Sequence, residues 1–143
     1  MASKKYTDLL TKLYKSYQGA ESFQRVAGAC RVTSVSEGKV RLEFDVEKNM
    51  TNPFGTLHGG YTATLIDIAT TTALLATERA APGVSVDLHV SYLGAAKLGE
   101  TVVLDAEIIK AGRTTAFTKA SLFIKDTDKQ IATGLHTKAL PRN

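Results

Sequence analysis

An α+β fold is expected for this chain: one antiparallel sheet of about six strands wrapped around one long central helix, with a short helix at the N-terminus. Three observations carry the expectation. Residues 39–48 alternate apolar and charged side chains, the period of a half-buried antiparallel strand. Residues 59–79 are apolar around most of a helical circumference, which marks a helix surrounded by protein. The segments run helix, two strands, helix, four strands, without the βαβ alternation that builds parallel sheets.

Leu9, Leu10, Leu13, Tyr14 and Tyr17 recur at helical spacing, so residues 1–20 read as an amphipathic helix that docks on the body of the protein. Asp8 and the lack of Arg in residues 2–18 argue against a mitochondrial presequence, and no apolar run follows the first lysines as in a secretory signal. Residues 29–36 and 39–48 are two strands joined at Glu37-Gly38; in the second, Val40, Leu42, Phe44 and Val46 share a face. Asn, Pro and Gly crowd residues 49–60, a loop with a turn at Asn52-Pro53. The central helix, residues 59–79, spans about 30 Å and stops before Pro82-Gly83. Strands follow at 84–92, 100–110, 114–125 and 130–139, with a tight hairpin at Ala111-Gly112. A lone sheet of this kind leaves edges open, and pairing with a second copy through an edge strand covers one of them.

Composition narrows the function. With 43% hydrophobic residues the chain forms a core, and its 143 residues make a single domain, 1–143. Cys30 is the sole cysteine, so no intrachain disulfide forms and a reducing compartment fits: the cytoplasm, with the mitochondrion as alternative. One Cys and three dispersed His (58, 89, 136) give no reason to expect a metal site. The net charge of +4 comes without Trp or a dense Lys/Arg block, so no nucleic-acid partner is expected. The longest apolar stretch, Tyr61 to Ala76, contains Asp67 and falls short of the ~20 residues of a membrane span.

The loop Asn52-Pro53-Phe54-Gly55-Thr56-Leu57-His58-Gly59-Gly60 leads directly into the apolar helix, and Asp67 follows Gly59 by eight positions. Further along stand APGVSVD (81–87), AKLGE (96–100), AFT (116–118) and HTK (136–138). In this order the motifs resemble the hotdog-fold thioesterases, in particular the phenylacetate-pathway-like group, from about Phe23 to Lys138. The resemblance implies an acyl-CoA thioesterase acting on fatty acyl-CoA of medium to long chain. Coenzyme A is then part of substrate and product, and no cofactor is needed. It also implies a homodimer with active sites across the interface, assembling as a dimer of dimers.

Thioester hydrolysis needs a polarised carbonyl, an activated water and a held thiol carrier. No G-x-S-x-G elbow is present to supply a serine nucleophile, and Cys30 is far in sequence from any His, which leaves water. Gly59 heads the helix, where a free N–H and the helix dipole suit a developing oxyanion; the plainer reading is a Gly-Gly turn. Asn52 offers an amide to the same carbonyl, or is an ordinary turn residue before Pro53. Asp67 is a carboxylate in an apolar helix, costly unless paired or useful; burial would raise its proton affinity and suit a general base. The plainer reading is a thin polar stripe with Thr64 and Thr71.

The resemblance implies catalytic roles for Gly59, Asn52 and Asp67, with Ser85 orienting the water; the role of Asp67 as base or nucleophile stays open. His58 either bonds near the carbonyl or braces the loop. The resemblance also places the nucleotide of coenzyme A at Lys110-Ala111-Gly112-Arg113-Thr114-Thr115, near Tyr92; His136 is a candidate contact to the substrate, or equally a core or surface residue. One close family member has a second His just after H-T-K, where this chain has Ala139. Gly59 and Asp67 stand eight residues apart, ~12 Å along one helix, so both act on one carbon only if the Asp comes from a second chain. The alternatives are an aryl-acyl-CoA thioesterase, or a non-catalytic acyl-CoA sensor or scaffold. A hotdog hydratase typically needs an Asp–His pair, which this helix lacks.

Overall fold

The computed structural model describes residues 2–142. Helix α1 (Ala2–Tyr17) precedes strands β1 (Arg31–Ser36) and β2 (Lys39–Asp45), helix α2 (Gly59–Leu75), and strands β3 (Val84–Tyr92), β4 (Thr101–Ala111), β5 (Thr115–Ile124) and β6 (Gln130–Ala139). The six strands form one antiparallel sheet in the order β1-β2-β4-β5-β6-β3. It curls around α2, the architecture expected from the residue pattern.

The inward residues of the strands are those the alternation singles out. Val40, Leu42 and Phe44 of β2, Val102, Leu104 and Ala106 of β4, and Ala120 and Leu122 of β5 are buried in one cluster with Leu65, Ile66 and Ala69 of α2. Helix α1 closes the cluster from outside: Tyr6, Leu10 and Tyr14 are buried on it, and the Tyr14 hydroxyl hydrogen-bonds the Thr72 hydroxyl of α2 at 3.0 Å. The N-terminal segment is thus a packed part of the fold.

Helix α2 lies against β6 at Gly134. A Cβ there would stand 2.8 Å from Ile66 Cγ2, closer than any methyl group tolerates, so glycine sets how near the helix comes to the strand. That approach brings the residues after Ile66 within hydrogen-bonding reach of β6.

Several boundaries differ from the sequence pattern; β1 starts at Arg31 rather than at residue 29, and β2 ends at Asp45 rather than at residue 48. Helix α2 ends at Leu75 rather than at residue 79; Ala76 leaves the helical conformation while its N–H caps onto Thr72 and Ala73 carbonyls, and residues 77–83 return as a loop. The β4–β5 connection is a three-residue turn, Gly112–Thr114, one residue longer than the Ala111-Gly112 hairpin. Two short 3-10 turns, Phe23–Ala27 and Lys48–Met50, lack any strong periodic signal.

Strand β3 departs more consequentially. Its pairing with β6 slips between Ser85 and Asp87, a bulge that places Val86 outside the ladder. The bulge reverses parity, so Ser85, opposite Lys138, shares the helix-facing side with Leu88, opposite His136. Val84 and Val86 remain 68% and 61% exposed, and beyond β3 the sheet has no further strand among the described residues. A hydrophobic, unpaired edge is a surface that proteins normally cover.

Substitution Gly134→Ala should destabilise the protein by about 1–3 kcal/mol through overpacking against Ile66. A chemical-denaturation midpoint equal to wild type would show that the helix does not rest on this glycine.

Candidate active site

The expected site residues fall into two groups, at opposite ends of β3 and at the start and the middle of α2. At the helix N-terminus, Asn52 is locked into an Asx turn: its Oδ1 accepts the Phe54 and Thr56 N–H groups at 3.0 and 3.2 Å, and its Nδ2 donates to Thr56 Oγ1 at 2.8 Å. Two donors converging on one atom identify it as the oxygen, so the amide nitrogen has one hydrogen left to give. His58 is the N-cap of α2, its Nδ1 accepting the Gly60 N–H at 2.8 Å. His58 therefore braces the loop. The Gly59 N–H is the first of the helix and finds no acceptor among the described residues. Tyr92, at the far end of β3, lays its ring over Gly59 and donates its hydroxyl to the Gly59 carbonyl at 2.7 Å. A Cβ at Gly59 would press on that ring at 3.1 Å, so the glycine serves the close contact as well as the turn. Together these contacts hold a free amide N–H at the positive end of a helix dipole.

The second group sits two turns further along α2. Asp67 is half-buried, less enclosed than its apolar neighbours suggest. Three and four residues on, Thr70 and Thr71 lie on the same helix face. Thr70 donates its hydroxyl hydrogen to the Ile66 carbonyl at 2.8 Å, so its contact with His136 Nδ1 at 2.7 Å requires the imidazole to donate. The other ring nitrogen, Nε2, is then an acceptor, and Ser85 Oγ donates to it at 2.7 Å. Burial, the largest influence on His136, depresses its proton affinity and is opposed by the negative charge of Asp67; the ring is neutral, as this tautomer needs. The Ser85 hydroxyl, its hydrogen spent on His136, offers lone pairs outward from an exposed position.

Of the two roles open to His136, the structure fits that of a core residue and not a direct contact to the substrate. The ring is fully buried and both nitrogens are engaged, so it presents nothing to a ligand. The Lys110–Thr115 segment is exposed apart from half-buried Thr115. The turn is closed by the Gly112 N–H on the Thr115 carbonyl at 2.8 Å, and Arg79, from the loop after α2, donates to the Gly112 carbonyl at 3.2 Å and to the Pro141 carbonyl. Lys110, Arg113 and Arg79 thus gather at the end of the sheet where Ser85 and Asp67 lie. Arg79 lacked a recognisable local signal, because its place depends on the helix ending at Leu75.

Cys30 is buried and its thiol is pushed up to about 12 by desolvation, so it offers no thiolate at neutral pH. Among the described residues no cluster of His, Cys, Asp and Glu is close enough to hold a metal, and no helix is long and apolar enough to cross a membrane. A hollow on the opposite face of the sheet, lined by Arg41, Asp105, Glu107 and Lys119 among others, includes none of the site residues.

A curled antiparallel sheet around one helix, with a helix-terminal N–H and a helical carboxylate as its polar features, defines a hotdog thioesterase. The thioesterase superfamily model matches residues 54–131, and the chain belongs to that superfamily of thioester hydrolases. It is 50% identical to human acyl-coenzyme A thioesterase 13 over 134 residues, 94% of this chain and 96% of the relative. The crystal structure of zebrafish thioesterase superfamily member 2 superposes with a TM-score of 0.92 at 43% identity, covering 94% of this chain and 98% of that one. The Escherichia coli PaaI protein, at 18% identity, shares the fold with a TM-score of 0.79 over 99% and 96% of the two chains.

The buried neutral His136 makes stability pH-dependent. Its folded-state proton affinity lies below that of the unfolded chain, so its contribution is present above pH ~6.5 and is lost as pH falls further. Denaturation midpoints at pH 7.5 and 5.5 should fall less for His136→Gln than for wild type; equal falls would contradict the assignment.

Proposed function

We propose that this protein hydrolyses fatty acyl-CoA of medium to long chain to the free acid and coenzyme A, at two sites per homodimer. The observation that carries the reading is the separation of the polar groups. Asn52, Gly59 and Tyr92 lie at one end of β3, and Ser85 and Asp67 at the other, seven strand positions apart or roughly 20 Å along it. Pairing the open edge of β3 antiparallel with its own copy, about a two-fold axis, brings the first end of one chain beside the second end of its partner. The same pairing covers Val84 and Val86 and leaves apolar surface along the seam for an acyl chain. The name of the human relative supports a CoA ester as substrate, and the cations Lys110, Arg113 and Arg79 suit its phosphates.

In this arrangement the thioester carbonyl accepts the Gly59 N–H and the remaining hydrogen of Asn52. Ser85 Oγ accepts a hydrogen from the attacking water and orients it, and the Asp67 carboxylate of the partner takes the water's proton as its oxygen bonds to the carbonyl carbon. The tetrahedral intermediate collapses, the C–S bond breaks, and the thiolate of coenzyme A leaves and takes up the proton held by Asp67, which restores the carboxylate.

Thiol release from a panel of short, long and aromatic acyl-CoAs tests this. Wild type should turn over fastest on medium to long chains, and Asp67→Asn should lose ~10²–10⁴-fold in kcat while still binding ligand. Undiminished turnover by Asp67→Asn would remove the base; tight binding without turnover by wild type would favour an acyl-CoA sensor.

A further inference from the structure

Ser85 is the exposed end of a hydrogen-bond chain that starts in the backbone of α2 and crosses the core to β3. Thr70 and His136 are its interior links, and both are fully buried. Thr70 Oγ1 stands 2.8 Å from the Ile66 carbonyl, 3.2 Å from the Asp67 carbonyl and 2.7 Å from His136 Nδ1. It has one hydrogen to give. Given to the ring, that hydrogen would leave the hydroxyl oxygen facing two carbonyl oxygens, lone pair against lone pair. Given to the carbonyls, it leaves Thr70 an acceptor for a ring N–H. The tautomer of His136 is therefore decided on the helix side, by carbonyl groups that can only accept. The ring is also anchored through its backbone: β6 is paired on both sides, with β5 and β3, and the Thr118 hydroxyl donates to the His136 carbonyl at 2.7 Å. Nε2 is left as an acceptor, and the Ser85 hydrogen is drawn inward to it at 2.7 Å.

We propose that Thr70 and His136 are positioning residues for the attacking water: they fix the polarity of the Ser85 hydroxyl, so that it meets the water as an acceptor only. The role rests on Ser85 orienting the water, as in the mechanism above. A serine free to rotate offers the water either a lone pair or its hydrogen. Donation by Ser85 turns a lone pair of the water toward the serine and away from the thioester carbon. As an acceptor, Ser85 takes one hydrogen of the water, the Asp67 carboxylate takes the other, and a lone pair is left for the carbon. Neither Thr70 nor His136 reaches the surface, so neither meets the substrate, and their influence on the reaction passes through Ser85.

Two measurements test this. The first needs no catalysis: nitrogen NMR of the wild-type protein labelled with 15N-histidine, the His136 signals being identified by their loss in His136→Gln. The ring proton should reside on Nδ1; a proton on Nε2 would overturn the proposal. The second follows thiol release from a medium-chain acyl-CoA. Thr70→Val keeps the shape of the side chain and removes the acceptor, so kcat should fall roughly three- to tenfold with KM little changed. Thr70→Ser restores the hydroxyl and should recover the rate. A wild-type kcat in Thr70→Val would overturn the role. In a Ser85→Ala background the same Thr70→Val change should cost no further kcat, because the chain then has nothing to orient. An equal loss in both backgrounds would mean that Thr70 acts by holding the fold, and would overturn the proposal. If Ser85→Ala alone keeps wild-type turnover, the place of Ser85 in the reaction falls, and the role of Thr70 and His136 in catalysis with it, whichever nitrogen holds the proton.

Discussion

Helix α2 is pressed onto β6 at a position where only glycine fits, and the chemistry of the chain follows from that contact. With Gly134 beneath Ile66, the next turn of the helix sits low enough for Thr70 to meet His136 and for Thr71 to meet Lys138. A methyl group at that point would force Ile66 or the helix itself to shift, one turn before both hydrogen bonds. The polar cluster around Asp67 therefore depends on close packing between apolar elements, and the core and the site are one structure.

The same helix separates the groups it carries. Its N-terminus presents an unpaired N–H under Tyr92, and its middle presents a carboxylate, with rigid helix between them. Side-chain motion does not bridge ~12 Å of helical rise. Strand β3 repeats the separation, holding Tyr92 over one group and Ser85 beside the other. Because β3 is also an open edge of the sheet, the surface that lacks a partner and the residues that lack one coincide.

The fold was largely legible in the sequence. Strict alternation over Lys39–Asp45 and the apolar circumference of Gly59–Leu75 are local signals of burial, and burial is what the sheet and helix are made of. The helix end was not legible, because Thr77 to Arg79 carry no helix-breaking residue and the loop is held by Arg79 reaching carbonyls of residues 112 and 141. Within the site, Asp67 was visible as a charge in an apolar run, and Asn52, His58 and Gly59 as loop chemistry before a helix. The position of Ser85 was noticed on an alternation that the bulge at Val86 overturns. Thr70 and Lys138 were missed, and Thr71 was seen only as part of a polar stripe with Asp67, since threonines in a helix and a lysine in a strand look like surface until a helix packs over them. The role of His136 stayed open between a ligand contact and a core residue, a distinction that depends on which atoms surround the ring.

The central claim is that each active site takes its amide N–H from one chain and its carboxylate from another. Mixing Asn52→Ala and Asp67→Asn chains, after dissociation and reassembly, tests it most directly by thiol release from an acyl-CoA. In a heterodimer one site then carries both lesions and the other carries none. Activity in the mixture well above that of either variant alone is the result the account requires. Activity no higher than the average of the two separate variants would mean that Asn52 and Asp67 serve the same site from the same chain, and the shared site would have to be abandoned.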